Sequence, residues 1–250
     1  MAKLNLEEVE KYIEDNIGSF HKAREEGLKK LKLSKILLKK NPYLFKAKNI
    51  LTAQKLVESL VKAYLSSQEE TMFGTFLERL AIFVCEKVYA GKKSSAEGID
   101  LEFQKDGVIY IVTVKSGTNW GNASQISKMK DNFRKAKQRL RTNSKKMPIE
   151  AINGCCYGRV HKTDKGEYQK IAGQLFWEFI SNDANLYTKI IEPLGHRAKE
   201  RNKEFEEIYS RMVNIYTEQF IREFCKDGII DWDKLVKFNS GKEKMKINFD

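Results

Sequence analysis

The segment from Gly98 to Lys115 constrains this chain more tightly than any other. Two runs, Gly98-Ile99-Asp100-Leu101-Glu102-Phe103 and Val108-Ile109-Tyr110-Ile111-Val112-Thr113-Val114-Lys115, alternate in polarity and are rich in β-branched and aromatic residues. Between them lies Lys105-Asp106-Gly107, and an Asp-Gly step at this place signals a two-residue type I′ turn and therefore a β-hairpin. With Asp106 and Gly107 as the loop, Lys105 pairs with Val108, and counting outward sets Asp100 opposite Thr113 and Gly98 opposite Lys115. Opposed residues share a face of the sheet. Asp100, Glu102, Thr113 and Lys115 therefore fall on one side, and Ile99, Leu101, Val112 and Val114 on the other.

An acid and a lysine converging on a sheet surface suit metal-dependent hydrolysis of a phosphodiester. The carboxylate holds a hard divalent cation that polarises the phosphate and lowers the pKa of a bound water. The lysine orients the attacking water or offsets the negative charge that grows in the transition state. The same pair also serves as an exposed cross-strand contact of small energetic consequence, and the hairpin alone does not choose between the two.

Composition narrows the choice. The chain carries 46 Lys and Arg against 34 Asp and Glu in 250 residues, a formal charge of +12. Such an excess fits a polyanionic partner, nucleic acid or an anionic membrane surface. No run reaches the roughly eighteen apolar residues of a membrane span, and the start lacks a signal-peptide core. The basic helices also lack the exposed Trp and Phe face of an interfacial helix. Cys85, Cys155, Cys156 and Cys225 have no disulfide-framework spacing, which fits a reducing cytoplasm. His21, His161 and His196 are scattered and no Cys-x-x-Cys occurs, so a zinc site is not expected.

Hydrophobic periodicity predicts helices over Leu4 to Ile17, Lys22 to Lys40, about Leu51 to Leu65, and about Thr71 to Tyr89, with Asn41-Pro42 as a break. After the hairpin come a glycine-bracketed loop, Ser116 to Asn122, and a helix from about Ala123 to Arg141. One face of that helix is apolar, and the other carries Lys128, Lys130, Arg134, Lys135, Lys137, Arg139 and Arg141, continuing to Lys145 and Lys146. That face either tracks a phosphate backbone or is simply solvated. Strands are predicted at Ile149 to Tyr157 and Tyr168 to Ala172, a helix begins at Leu175 to Ile180, and one long amphipathic helix runs from about Gly195 to Cys225.

Helix, hairpin with Asp and x-x-Lys, loop, helix and strand is the order of the PD-(D/E)xK nuclease core, which this chain resembles. The closer resemblance is to the PmeII-like group of orthodox type II restriction endonucleases. It is carried by Asn41-Pro42-Tyr43-Leu44-Phe45, Ser66-Ser67-Gln68-Glu69-Glu70-Thr71-x-Phe73-Gly74, Gly98-Ile99-Asp100 and Lys115-Ser116-Gly117-x-Asn119-Trp120-Gly121-Asn122-x-x-Gln125-Ile126. Cys156-Tyr157-Gly158 and Leu175-Phe176-Trp177 resemble it more weakly.

The resemblance implies an α/β fold: a central mixed β-sheet flanked by helices over residues 71–182, a helical region 1–70 packed on it, and a helical region 183–250 as a candidate dimerisation element. It implies a cytoplasmic, prokaryotic, homodimeric, Mg2+-dependent enzyme that cuts both strands of double-stranded DNA at a short palindromic site. Such an enzyme leaves 5′-phosphates and is accompanied by a DNA methyltransferase. Asp100 and Glu78 then hold the metal with the Val114 carbonyl, and Lys115 is the catalytic lysine. Ser116, Asn119, Trp120 and Asn122, with Lys128, Lys130, Arg134 and Lys135, are the candidate DNA contacts.

One departure matters. Where the superfamily usually has an acid two residues before the lysine, this chain has Thr113, a neutral ligand that cannot replace the missing charge. Glu78 is the first candidate substitute and Glu102 the second, with Thr113 and Gln125 in support. Two alternatives stay open: a repair or mobile-element nuclease built on the same residues, and a DNA-binding protein whose site has decayed.

Overall fold

A computed structural model describes residues 2–143, 147–243, 245 and 247; Lys145 and Lys146 of the basic run lie outside them. In chain order the elements are α1 (Leu6–Lys29), α2 (Leu33–Lys39), α3 (Pro42–Ala47), α4 (Ala53–Tyr89), β1 (Lys92–Lys93), β2 (Leu101–Lys105), β3 (Val108–Lys115), α5 (Ala123–Asn143) and β4 (Ile149–Cys155). There follow β5 (Gln169–Ala172), α6 (Gln174–Ser181), α7 (Leu186–Lys189), α8 (Ile191–Leu194), α9 (Ala198–Phe224), β6 (Cys225–Lys226), β7 (Ile229–Ile230) and α10 (Trp232–Ser240).

The chain forms two compact units. Residues 1–18 and 73–196 make the first, and residues 19–72 and 197–250 the second. In the first unit a five-stranded sheet runs β1-β2-β3-β4-β5. The β1/β2 and β2/β3 pairs are antiparallel, while β3/β4 and β4/β5 are parallel. This is the expected mixed sheet flanked by helices. Parallel β3 and β4 need a crossover, and α5 supplies it, packing Met129, Phe133 and Ala136 over Ile111, Ala151 and Tyr168.

The hairpin register matches expectation from Lys105↔Val108 to Leu101↔Val112. Asp106 and Gly107 both have positive φ, 50° and 75°, as a type I′ turn requires. Beyond Leu101 the ladder departs from the simple count. The Asp100 N–H donates to the Val112 carbonyl at 2.9 Å, and Ile99 turns to the α5 side, where it joins Ile111 and Met129, instead of lining the face of Val112 and Val114. The cause is Gly98, whose φ of 69° lies in the left-handed region and whose missing Cβ makes room for the Asn132 side chain on α5.

Three helical boundaries also differ from the periodicity reading. The first expected break disappears because α1 runs unbroken through Gly18 and Ser19 to Lys29. A turn then separates it from α2, so Lys22 to Lys40 is not one helix. Likewise α4 is a single helix of 37 residues. Its polar stretch Ser66-Ser67-Gln68-Glu69-Glu70-Thr71 contains neither Pro nor Gly, so nothing in it interrupts the backbone hydrogen bonds.

The second unit is all but purely helical, apart from the short β6/β7 pair. Leu28, Leu33, Ile36, Phe45, Leu56 and Val61 pack there with Phe205, Tyr216, Phe220, Phe224 and Leu235. Asn41 caps α3 by accepting from the Tyr43 and Leu44 N–H groups, with Pro42 in the first turn, so Asn41-Pro42 starts a helix as well as ending one. The Asn239 amide donates to the Leu37 carbonyl at 2.6 Å, satisfying the end of α2.

Candidate active site

The turn after Gly98 and the end of β3 bring Asp100 and Lys115 together. Val114 donates its backbone N–H to Asp100 Oδ2 at 2.7 Å, and Lys115 Nζ lies 3.8 Å from the same oxygen. Within a strand, one residue's N–H and C=O point to the same edge, so the Val114 carbonyl is also directed toward the β2 side, where Asp100 sits.

Glu78 arrives from α4. Gly74 stands one turn before it on the same face, and a Cβ at Gly74 would collide with Ser116 Oγ. The bare glycine lets α4 lie against the chain just past Lys115, which carries Glu78 toward Asp100. Glu78 also meets Lys93 of β1 at 3.7 Å. Burial, and then the facing Asp100 charge, push the Glu78 carboxyl above the usual glutamate range, opposed by Lys93 and Lys115. Burial likewise raises Asp100, against the downward pull of the Val114 N–H and of Lys115 and Lys93. Two desolvated carboxylates held near one another are stabilised by whatever cation enters between them.

The other expected residues are placed as follows. Glu102 accepts from Ser94 Oγ at 3.1 Å and meets Lys92 at 3.5 Å, which commits its carboxylate to the edge strand. Thr113 is 1% exposed and sits under α5, its hydroxyl donating to Met129 Sδ at 3.5 Å. Gln125 forms a capping box with Asn122: the Gln125 N–H donates to Asn122 Oδ1 at 3.1 Å, and the Asn122 N–H donates to Gln125 Oε1 at 2.9 Å. These bonds start α5 immediately after the loop. Among the basic residues of α5, Lys128 meets Glu97, Lys130 meets Glu167, and Arg134 meets both Asp131 and Glu167. Lys135 is exposed.

The loop from Ser116 to Asn122 is itself held. The Tyr157 N–H donates to the Ser116 carbonyl at 2.9 Å, and Lys170 Nζ donates to the Thr118 carbonyl at 2.8 Å. Gly117 lies under the Tyr157 ring with no room for a Cβ. Cys155, paired with Lys115 across the parallel ladder, is pushed up to about 11 by burial and remains a neutral thiol.

Sequence reasoning passed over two residues that complete the site, Lys93 and Asn153. Lys93 sits in a two-residue strand that has no periodicity to read. Asn153 did give a signal, being the lone polar side chain in the apolar run from Ala151 to Cys156. It is fully buried.

Among the described residues no cluster of three or more His, Cys, Asp or Glu stands ready for a metal. Asp100, Glu78 and the Val114 carbonyl fit the lighter requirement of Mg2+, which takes one or two carboxylates and completes its shell with waters and substrate phosphate. Among the described residues no helix is long and apolar enough to cross a membrane. A family model described as type II restriction endonuclease EcoO109I matches residues 7–202, well over half of the chain. No curated protein matches it.

Proposed function

Since the chain belongs to the EcoO109I type II restriction endonuclease family, and is thereby a site-specific deoxyribonuclease, we propose that it hydrolyses both strands of duplex DNA at a short palindromic sequence, with Mg2+ and leaving 5′-phosphate ends. The observation that carries this reading is the convergence of Asp100, Glu78 and Lys115 at the end of β3. The finer likeness to the PmeII-like group rests on the motifs between residues 41 and 141.

In this reading Asp100 and Glu78 bind the cation with the Val114 carbonyl, and Glu78 supplies the charge that Thr113 does not. When bound, Mg2+ polarises the scissile phosphate and favours ionisation of water. Lys115 orients the attacking water and offsets charge building on the phosphate oxygens. Asp100 holds Lys115 by charge, and the Val114 N–H holds Asp100. The exposed basic side of α5, Lys135 included, contributes salt-dependent backbone affinity, while base-edge contacts come from a loop, Ser116 to Asn122 or Gly158 to Gly166. A palindromic site calls for a symmetric protein, so the working unit is a homodimer, acting in the cytoplasm alongside a methyltransferase that protects the host's own sites.

The test is incubation with unmethylated phage DNA, with and without Mg2+, beside Asp100→Ala and Lys115→Ala. Discrete, Mg2+-dependent fragments lost in both variants are expected, with specific binding spared in Lys115→Ala. A loss of about 100-fold or more is the usual scale for such a group. Smears or nicks would point to a structure-directed nuclease, and binding without cutting to a decayed site.

A further inference from the structure

The position where an acid would ordinarily stand is occupied by a closed hydrogen-bond chain that leads to Lys115 from the opposite side. Thr113 and Asn153 are direct partners on parallel β3 and β4, exposed by 1% and 0%. Asn153 Nδ2 donates to Thr113 Oγ1 at 3.1 Å. Since the Thr113 hydroxyl donates onward to Met129 Sδ, its oxygen is left to accept, which fixes the amide orientation. Asn153 Oδ1 then accepts from the Trp120 indole Nε1–H at 3.1 Å. An indole nitrogen only donates, so the chain runs in one direction and every member is satisfied. At its end the Lys115 ammonium sits 5.4 Å from the centre of the Trp120 ring.

Trp120 lies in a loop with glycines at 117 and 121, where no ladder or helix fixes a side chain. Its ring is therefore oriented by Asn153, by the neighbouring Cys155 thiol and by packing against the α5 cluster. A buried amide left unpaired is costly, and the side chain at 153 has both of its polar atoms engaged on this route.

We propose that Asn153 is a positioning residue for the reaction: through Trp120 it holds an aromatic face against Lys115 and fixes the ammonium beside Asp100, with Thr113 anchoring the amide in place of binding metal. This rests on the reading of Lys115 as the catalytic lysine.

The experiment uses the full chain and single-turnover cleavage of unmethylated phage DNA in Mg2+, with DNA affinity measured separately without metal. Trp120→Leu removes the π face and is expected to slow single-turnover cleavage of fully bound DNA about tenfold, the scale of one cation–π contact, over and above any change in affinity. Trp120→Phe restores a π face without the N–H and is expected to recover to within about threefold. The three tryptophans give three indole N–H resonances, and Asn153→Leu is expected to shift that of Trp120 and speed its exchange with solvent. Cleavage by Trp120→Leu at the parent rate, no recovery in Trp120→Phe, or an unmoved Trp120 resonance in folded Asn153→Leu would each overturn the proposal. The Trp120 variants change a loop residue and decide the matter even where Asn153→Leu does not fold. Lys115→Ala separates the two levels: full cutting by it removes the site reading itself, whereas its silence beside an unimpaired Trp120→Leu removes only the relay.

Discussion

Asp100 and Glu78 illustrate a conflict set at the level of single side chains. Both are held partly out of water and near each other, and both carboxyls are raised above their ordinary range, burial being the larger cause. The sign of the linkage follows. A carboxyl whose folded pKa exceeds its unfolded value binds its proton more tightly in the native state, so its stabilising effect is complete below the unfolded pKa. That effect is lost as pH rises through the folded pKa. At neutral pH and without metal the two charges therefore oppose folding, in the form that the chemistry needs. Asp100→Asn keeps an oxygen to accept from the Val114 N–H and removes the charge. We expect this variant to melt at a higher temperature than the parent at neutral pH without metal, with the gap closing on acidification, while losing cleavage. Calorimetric scans across the carboxylate range check it; a variant that melts lower at neutral pH would count against the electrostatic account. Asp100 and Lys115 were legible as neighbours because one turn sets the β2–β3 register as far as Leu101, although the final placement of Asp100 is set by the turn at Gly98. Glu78 was legible only as a candidate, since its approach depends on Gly74 meeting Ser116, a contact between residues far apart in the chain.

At the scale of elements, what could be read was what is local. The type I′ turn, the β2–β3 register and the apolar face of α5 all follow from neighbouring residues, and they recur in the structure. The departure at Asp100 does not, because it is imposed by α5: Gly98 turns at positive φ where the Asn132 side chain fills the space a Cβ would need. Gly98→Ala should therefore cost about 1–3 kcal/mol from crowding and an unfavourable backbone region, measurable by denaturant unfolding. It should also slow cleavage by displacing Asp100. Stability within a few tenths of a kcal/mol of the parent would show that the turn adapts. The basic face of α5 divides in a way its composition concealed. Lys130 is balanced by Glu167 at 3.1 Å, whereas exposed Lys135 forms no ion pair among the described residues. Each phosphate contact contributes about one counterion to the salt dependence of DNA binding. Lys135→Ala should lower the log–log salt slope by about 1, and Lys130→Ala by less, in binding titrations at several salt concentrations. Equal slopes for both variants would remove the distinction.

At the scale of the whole molecule, neither compact unit is a continuous stretch of chain. Residues 19–72 fold with 197–250, and 1–18 with 73–196, an arrangement that hydrophobic periodicity has no means of announcing, because it records which face of a helix is apolar and not which distant helix covers it. Leu28, Leu33, Ile36, Leu56 and Val61 read as apolar stripes; that Phe205, Tyr216, Phe220, Phe224 and Leu235 cover them is visible only in three dimensions. The Tyr216 hydroxyl even donates to the Leu31 carbonyl across that span of sequence. A chain ending at His196 keeps every strand of the five-stranded sheet but loses half the core of the second unit. Fully burying one large apolar side chain contributes about 1.5–3 kcal/mol, so removing several at once leaves residues 19–72 without a folded state of their own. We expect limited proteolysis of this truncated protein to cut rapidly within 19–72 and an apolar dye to bind there, while fragments holding residues 92–181 persist. Addition of the missing segment, residues 197–250, as a separate peptide should restore protection. Protection of 19–72 in the truncated chain at the parent level would show that these helices hold together without α9 and α10, and would place the folding information for the second unit entirely in its N-terminal half.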